Sequence, residues 1–332
     1  MPIVLGKDNV VEVYRAAAAR GWVVPTFCAE NQTTVEAVLA ACQARAEQLA
    51  TRVPVTVAMT GRYAHRAQAV HYAGSRNPTT GLELFLGDCE VLSRPGGDYP
   101  DVDVLTHFDH GQYDLDADVL GGDLSRFSSV MYDASAAPWD VNLARTAEFV
   151  ARRGGEVLVE GAADEIVDAA GDIRGELTSA DRAEEFLSRT GVDMVVANLG
   201  TEHRASASDL RYVPEAARAI SRRIGTRLVL HGTSSVPAEQ LSTLFDDGVC
   251  KVNIWTILER DTSPQLLRAM VEHADAVAGP TAAQLAAQGL LGPNAPTAGG
   301  ADIAHFTSAW RNQVVLAGMQ RIVAGYLELW YR

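Results

Sequence analysis

The chain has 332 residues, 47% of them hydrophobic, so it can bury a large core and does not have the composition of a disordered protein. Its formal net charge of −14 argues against nucleic acid or an anionic membrane as a main partner, although a local arginine pocket could still bind an anionic substrate. With four cysteines in no CxxC pair, no recognisable signal peptide and no apolar run of membrane length, we expect a cytoplasmic protein with free thiols.

Short apolar runs rich in β-branched residues alternate along the chain with stretches of helical periodicity. The predicted strands are residues 22–27, 53–59, 102–108, 128–133, 156–160, 193–198, 227–231 and 249–254. The predicted helices are residues 36–49, 142–153, 179–189, 213–224 and 237–245, with Thr178 or Ser179 as the N-cap of the third.

Eight β-like runs separated by helical segments predict an α/β fold, the (β/α)8 TIM barrel. Several runs are apolar on both faces, as expected of strands that lie between a core and a layer of helices. A doubly wound open sheet is the rival fold. No Gly-rich dinucleotide fingerprint follows the first run, which disfavours that rival.

Two segments look like additions to the barrel. Residues 74–99 separate the second and third strands, contain turn-rich sequence and are long for one crossover. Near the end of the chain, loop-rich sequence precedes a long amphipathic helix at 304–331. We therefore divide the chain into a catalytic barrel of residues 1–278 and a C-terminal extension of residues 279–332, which packs on the barrel or on a partner subunit.

Polar side chains lie at or just past the ends of six predicted strands, where a (β/α)8 barrel carries its reactive groups. Three of them are imidazoles, His110, His203 and His231, and three histidines with one open position form a typical catalytic zinc site. The sequence therefore predicts one divalent metal on these histidines, with Asp109 beside them to move protons. The remaining members of the set are Asp133, Glu160 and Asn253, and His107 faces the same side of its strand as Asp109.

Several short motifs follow one another in a fixed order between Val24 and Thr256. They are VPTF at 24–27 with Asn31, THFDHG at 106–111, SVMYD at 129–133 with Asn142, TGVD at 190–193, GTEH at 200–203, LHG at 230–232 and KVNI at 251–254. Together they resemble the class II, zinc-dependent ketose-bisphosphate aldolases, the family of the fructose- and tagatose-bisphosphate aldolases. The resemblance covers most of the predicted barrel and implies the same fold.

The resemblance also implies a role for each matching position. His110, His203 and His231 would hold the metal, and Asp109 would protonate or deprotonate the C4 hydroxyl of the substrate. Asn253 would contact the ketose donor or its enediolate. Asp133 and Glu160 would lie beside the metal or serve as alternative ligands. The substrate-binding residues would be Asn31, Thr60, Arg204, Gly232, Ser234, Trp255 and Thr256.

Several positions depart from the family's pattern. Ala162 stands where the family has a second glutamate, and the loop acid that abstracts a proton in the family has no counterpart at its usual position. The loop at 232–235 lacks two of the family's glycines, which disfavours a phosphate cradle there. Arg204 replaces a glycine and Trp255 a substrate-binding aspartate; they indicate a carboxylated, aromatic or larger ligand, or else a surface cation and a space-filling ring. The candidates to replace the loop acid are Glu165, Asp168 and Asp172.

From these observations we predict a metal-dependent class II aldolase-like lyase or synthase that acts on C–C bonds. Its substrate would be a ketose or ketose-phosphate-like sugar, cleaved through a metal-stabilised enediolate, with a specificity that differs from the family's. The alternatives are a zinc-dependent hydrolase or isomerase on the same scaffold, which the missing loop glutamate suggests, and a non-catalytic member. We expect one Zn²⁺ per chain, a monovalent cation as an optional second ion, and a homodimer or homotetramer.

Overall fold

Eight parallel strands close into a barrel in the computed structural model, which describes residues 3–165, 176–202 and 211–332. The strands are β1 (Val24–Cys28), β2 (Val53–Thr60), β3 (Val102–Gln112), β4 (Ser129–Asp133), β5 (Leu158–Ala162), β6 (Met194–Val196), β7 (Leu228–Leu230) and β8 (Val249–Ile254). Each strand pairs with the next one in the chain, and β8 pairs with β1 to complete the ring. This topology confirms the predicted (β/α)8 TIM barrel.

Nearly every strand residue is buried, because the strands lie between the barrel interior and the surrounding helices. The strands predicted at 193–198 and 227–231 are shorter in the structure, so His231 lies in the loop immediately after β7 rather than in the strand. β3 extends beyond its predicted end at residue 108, and it therefore carries Asp109 and His110 within the strand itself.

Helices surround the barrel and connect its strands. Ser179 accepts a hydrogen bond from the backbone N–H of Arg182, which confirms it as an N-cap. The helix predicted at 237–245 is wrong in type, because the short connection between β7 and β8 takes the tighter 3₁₀ form at Ala238–Thr243, after another 3₁₀ turn at Thr233–Ser235. The α-helices of the described ranges are α1 (Lys7–Ala19), α2 (Gln32–Leu49), α3 (Gln68–Tyr72), α4 (Pro78–Leu92), α5 (Ala117–Gly121), α6 (Trp139–Arg153), α7 (Ala180–Thr190), α8 (Pro214–Ile224), α9 (Thr256–Glu272), α10 (Ala274–Ala278), α11 (Thr281–Ala287), α12 (Ile303–Phe306) and α13 (Ser308–Trp330).

The segment at 74–99 is a crossover of the barrel and not an addition to it. It contains α4, whose N-cap Asn77 accepts hydrogen bonds from the backbone N–H groups of the first turn, with Pro78 as the first helical residue. One face of α4 is buried and includes Phe85 and Cys89. The turn-rich sequence of this segment therefore includes the start signal of a helix, Asn77-Pro78.

The C-terminal extension packs on the barrel of its own chain. Helix α13 contacts α2 and α9, and Tyr331 just beyond it is fully buried. The ring of Tyr331 lies 4.6 Å from that of Trp22, centroid to centroid, and its hydroxyl donates to the carbonyl of Pro54. The boundary at residue 279 stays a prediction. Among the helices of the described ranges, not one combines the length and the apolar character that a membrane span requires.

Candidate active site

His110 lies at a distortion of β3. Its backbone φ of 47° falls in the left-handed region, which is uncommon for a residue that has a Cβ atom. The pairing of β3 with β4 shifts register between Phe108 and Gly111, so the distortion is a β-bulge. A Cβ atom on Gly111 would lie 3.0 Å from the carbonyl oxygen of Met131, which explains the glycine. Because of the bulge, the consecutive side chains of Asp109 and His110 reach one cavity, although neighbouring residues of a regular strand face opposite sides.

Three buried side chains at the carboxyl end of the barrel have the spacing of a metal site. Asp109, His110 and His231 each bring one potential ligand atom to within 4.8 Å of the other two. Nε2 of His110 lies 3.2 Å from Nδ1 of His231, and the two rings are perpendicular. Two imidazole nitrogens bound to one tetrahedral zinc at about 2.0–2.1 Å are about 3.3 Å apart, so the observed separation fits a shared ion.

A carboxylate fixes the orientation of the His110 ring. Nδ1 of His110 lies 2.7 Å from Oδ2 of Asp133, and the other oxygen of Asp133 accepts hydrogen bonds from the backbone N–H and hydroxyl of Ser135. Gln112 donates a further hydrogen bond to Oδ2 at 3.0 Å. With its Nδ1–H donated to Asp133, His110 presents the lone pair of Nε2 to the cavity, as a metal ligand must. The ring of Tyr63 stacks on His110, with centroids 4.3 Å apart.

The charges around His110 shift the pKa values of the whole cluster. Burial alone would lower the pKa of His110, but the charge of Asp109 and the hydrogen bond that His110 donates to Asp133 raise it above the usual value. Burial also opposes ionisation of the two carboxyl groups. The pKa of Asp109 is nevertheless well below its usual value because of His110, His107 and His231, and that of Asp133 is lowered by His110 and Ser135. Both acids are therefore carboxylates at neutral pH.

Asp109 is held by donors on both of its oxygens. Nδ2 of Asn253 donates to Oδ1 at 3.1 Å, and Nε2 of His107 lies 3.5 Å from the same atom. The thiol of Cys28 donates to Oδ2 at 3.5 Å, since burial and the nearby Asp109 raise the pKa of Cys28 and keep it protonated. The carboxylate of Asp109 therefore has a fixed position next to the histidines.

A buried lysine in the barrel interior, Lys251 on β8, contacts side chains of β3 and β5. Nζ of Lys251 lies 2.9 Å from both carboxylate oxygens of Glu160, 3.1 Å from Oδ1 of Asn253 and 3.5 Å from Nε2 of His107, and both charged side chains are inaccessible to solvent. Because an ammonium group can only donate, Oδ1 of Asn253 must face Lys251 and its Nδ2 must face Asp109. Glu160 thus pairs with Lys251 rather than joining the cluster of Asp109 and the histidines.

Most of the predicted substrate-binding residues share one cavity with the histidines. Among those that the structure describes, Asn31 is the exception, since its Oδ1 accepts the backbone N–H of Thr34 at 3.2 Å and caps α2. A Cβ atom on Gly232 would lie 2.8 Å from the carbonyl oxygen of Glu202, and its φ is +70°, so this position requires glycine. The predicted residues that line the cavity are Asp109, His110, His231, Asn253, Thr60, Gly232, Ser234, Trp255 and Thr256.

Several predicted residues fall outside the described ranges. They are His203, Arg204, Asp168 and Asp172. Of the acids that could replace the family's loop glutamate, Glu165 is described and is exposed to solvent. It lines a second depression together with His110 and Asp133.

A group of polar residues that sequence reasoning missed surrounds Trp255. Nε1 of Trp255 donates to Oε1 of Glu30 at 2.8 Å, and the same oxygen accepts from Nε of Arg66 at 3.0 Å and from Nε2 of Gln68 at 3.1 Å. The other oxygen of Glu30 accepts from Nη2 of Arg66. Gln68 in turn accepts the backbone N–H of Thr60 at 3.0 Å. The available signal was the position of Glu30 and Arg66, each in a loop after a predicted strand.

The comparison with known protein families agrees with this geometry. The family model described as fructose-bisphosphate aldolase class-II matches residues 8–292. The chain belongs to the class II fructose-bisphosphate aldolase family. This membership confirms the family inferred from the motifs, and it supports an aldolase-like lyase of carbohydrate metabolism.

Individual members of the class II aldolase family are distant from this chain. It is 29% identical to the fructose-bisphosphate aldolase of Treponema pallidum over 293 residues, covering 75% of this chain and 82% of the relative. It is 30% identical to the D-tagatose-1,6-bisphosphate aldolase subunit GatY of Klebsiella oxytoca over 286 residues, covering 83% and 89%. The crystal structure of fructose-bisphosphate aldolase from Campylobacter jejuni has a TM-score of 0.76 at 17% identity, covering 99% of this chain and 95% of that one. This structural likeness concerns the fold.

Proposed function

We propose that the protein is a metal-dependent class II aldolase that cleaves or forms a C–C bond in a ketose-like substrate, with a substrate specificity of its own. The observation that carries the proposal is the 3.2 Å separation between Nε2 of His110 and Nδ1 of His231, with the carboxylate of Asp109 beside them in a buried cluster. Family membership supports the reaction class, since the relatives described above are aldolases by name.

His110 and His231 would hold the divalent metal, and His203, outside the described ranges, is proposed as the third ligand. Neutral imidazoles are ligands that suit zinc, and Asp133 would keep the Nδ1–H tautomer of His110 that binding needs. When bound, the cation would act as a Lewis acid toward oxygen atoms of the substrate. The optional monovalent cation stays part of the proposal without an assigned site.

Asp109 would act as the general base in the cleavage direction. Its carboxylate would accept the proton of the substrate hydroxyl as that carbon becomes an aldehyde and the adjacent C–C bond breaks. The bonding electron pair would pass to the fragment that carries the carbonyl group, and a loop acid would then protonate that carbon. Glu165 is the described candidate for this second role, because it shares a depression with His110 and Asp133.

Asn253 would orient the substrate and Asp109 together. Since Lys251 occupies the amide oxygen, the amide Nδ2 is the group directed at Asp109 and at the cavity. An amide N–H donor at this position favours negative charge that develops on oxygen during cleavage. This role requires the buried pair of Lys251 and Glu160, which keeps the amide from rotating.

Turnover by metal-stripped and zinc-reloaded protein tests the proposed function. Free ketoses, ketose 1-phosphates and ketose bisphosphates would be offered, and the aldehyde products would be measured after trapping. We expect cleavage of at least one ketose by the reloaded protein, its loss on chelation and its return with zinc. Absence of cleavage across the panel would contradict the proposal, and hydrolysis or isomerisation of the same sugars without C–C cleavage would favour the alternative class.

The setting of the enzyme is also part of the proposal. The four cysteines are free and buried, which supports a reducing compartment, and we propose the cytoplasm. We further propose a homodimer or homotetramer that acts on a small sugar or sugar phosphate rather than on nucleic acid or membrane. Size-exclusion chromatography with light scattering tests the assembly, and a monomer at micromolar concentration would contradict it.

A further inference from the structure

One end of the cavity is organised by a carboxylate whose hydrogen-bonding capacity is already used. Glu30 accepts from Trp255, Gln68 and twice from Arg66, and its side chain is 8% exposed. We call the part of the cavity lined by Arg66 and Trp255, both of which donate hydrogen bonds to Glu30, the Glu30 subsite. Arg66 and Trp255 line the same cavity as Asp109, His110 and His231, so a substrate on the histidines extends within reach of this subsite.

The arginine of the Glu30 subsite has its charge balanced by Glu30. Among the described residues that line the cavity, Arg66 is the one lysine or arginine, and its Nε and Nη2 face the two oxygens of Glu30. A two-pronged pair of this kind balances the two charges and leaves little net charge. Because its charge is balanced by Glu30, Arg66 is not poised to bind the phosphate or carboxylate of a ligand.

A second acid lies next to this ion pair. Glu259, on the first turn of α9, has a buried Oε1 atom without a hydrogen-bond partner among the described residues. Burial and the proximity of Glu30 raise the pKa of Glu259 to about 7. The surroundings of the subsite therefore range from neutral to negative, and a phosphate or carboxylate would be disfavoured there.

Trp255 adds an uncharged wall. Its single N–H is directed at Glu30, so the indole has only its ring faces and edge to offer to a ligand. Ile254 and Ile257 line the cavity on either side of it in the chain. The wall suits alkyl carbons and the C–H faces of a sugar, as flat aromatic surfaces do in general.

We infer that the Glu30 subsite receives an uncharged end of the substrate, a hydroxyl- or alkyl-terminated carbon chain without phosphate or carboxylate, and that Glu30 determines this specificity. The inference rests on the proposed aldol reaction and adds the substrate class at one end. A terminal phosphate there would have to draw Arg66 away from Glu30, or lie beside two acids with no other lysine or arginine among the described residues of the cavity. Removing the charge of Glu30 frees Arg66 and converts the subsite into an anion-binding one.

Binding of inorganic phosphate, followed by tryptophan fluorescence, tests the inference without requiring turnover. The variants are Glu30→Gln and, as a control with the same change of charge on the exposed surface of α2, Glu47→Gln. We expect phosphate to bind Glu30→Gln at least tenfold more tightly than the wild type or Glu47→Gln, with a signal that Trp255→Phe abolishes. Equal affinity in all three proteins, or binding near Trp255 in the wild type that Glu30→Gln does not improve, overturns the inference. Thermal unfolding verifies that the variants are folded.

Kinetics then separate failure of the inference from failure of the proposed function. Condensation would be measured with dihydroxyacetone or its phosphate as donor and with glyceraldehyde or its 3-phosphate as acceptor. We expect a phosphate on one of the two partners to lower kcat/KM at least tenfold in the wild type, and Glu30→Gln to reverse that preference. Preference for phosphate on both partners would overturn the specificity while leaving the aldol reaction intact. Failure of all four pairs would count against the reaction, and the phosphate titration would still decide the subsite.

Discussion

The two ends of the cavity use charge in opposite ways. At the histidine side, made of Asp109, His110, Asp133 and His231, carboxylates accompany two imidazoles whose facing nitrogens are 3.2 Å apart, a spacing that suits two ligands of one cation. At the Glu30 subsite the charges of Glu30 and Arg66 cancel each other. We propose that one end binds a metal ion and that the other excludes an anionic group. If both proposals hold, the reaction chemistry and the choice of substrate depend on different residues of this cavity.

The largest effect that would sharpen this contrast is expected at Asp109. Asp109→Asn keeps the shape of the side chain but cannot accept a proton, so kcat should fall by about 10³-fold. Metal content should be unchanged if the histidines are the ligands. Steady-state kinetics and metal analysis of the same preparation measure both. A variant with near-normal kcat would remove Asp109 from the chemistry.

The buried pair beneath the histidine side should be the next most sensitive point. Lys251→Met leaves the carboxylate of Glu160 buried without a counter-charge, and we expect the free energy of unfolding to fall by about 3–5 kcal/mol. The double variant with Glu160→Gln removes both charges and should recover much of this loss. Urea unfolding measures the free energy of unfolding of the wild type, the single variant and the double variant. A single variant within 1 kcal/mol of the wild type would show that the pair is not needed to hold the barrel interior.

Asp133 tests how strongly the histidine side depends on its supporting carboxylate. Asp133→Asn weakens the acceptor for Nδ1–H of His110, and we expect metal affinity to fall by about 10- to 100-fold. Competition with a fluorescent chelator gives the dissociation constants. Unchanged affinity would mean that His110 needs no support from Asp133 to bind.

A smaller effect, at Glu259, probes the Glu30 subsite through pH. The pKa of Glu259 in the folded protein, about 7, is above that of an ordinary glutamate. Ionisation of Glu259 therefore destabilises the folded protein. The protonated acid carries no such penalty below about pH 4.5, and the penalty develops fully as the pH rises through 7. Glu259→Gln should be more stable than the wild type by about 2 kcal/mol at pH 8, with the gain vanishing near pH 4. Urea unfolding at both pH values checks this, and a gain independent of pH would contradict the assignment.

The barrel was predictable because its evidence is repeated eight times along the chain. Apolar runs buried on both faces, alternating with helical periodicity, leave few other folds, and the ends of those runs point to Asp109, His110, His231 and Asn253. Short sequence signals were less reliable where the same residues are typical of two kinds of local structure. An Asn-Pro pair is typical both of turns and of helix N-termini. Helix α4 was missed because its start, Asn77-Pro78, lies in a turn-rich stretch.

Partners that are distant in sequence could not be predicted. Glu30 and Trp255 lie 225 positions apart and meet because β8 closes the barrel against β1. Lys251 was visible within a motif, but its pairing with Glu160 depends on which side chains share the barrel interior. The left-handed backbone of His110 likewise follows from the bulge in β3, for which the sequence offers only the adjacent glycine.

The central claim is that His110 and His231 bind the same ion, and a crystal structure of zinc-loaded protein tests it most directly. Anomalous difference maps on both sides of the zinc absorption edge would locate the metal independently of the protein model. We expect one peak per chain, within about 2.0–2.1 Å of Nε2 of His110 and Nδ1 of His231. A zinc peak elsewhere, or no peak in protein that is active without metal, would contradict it.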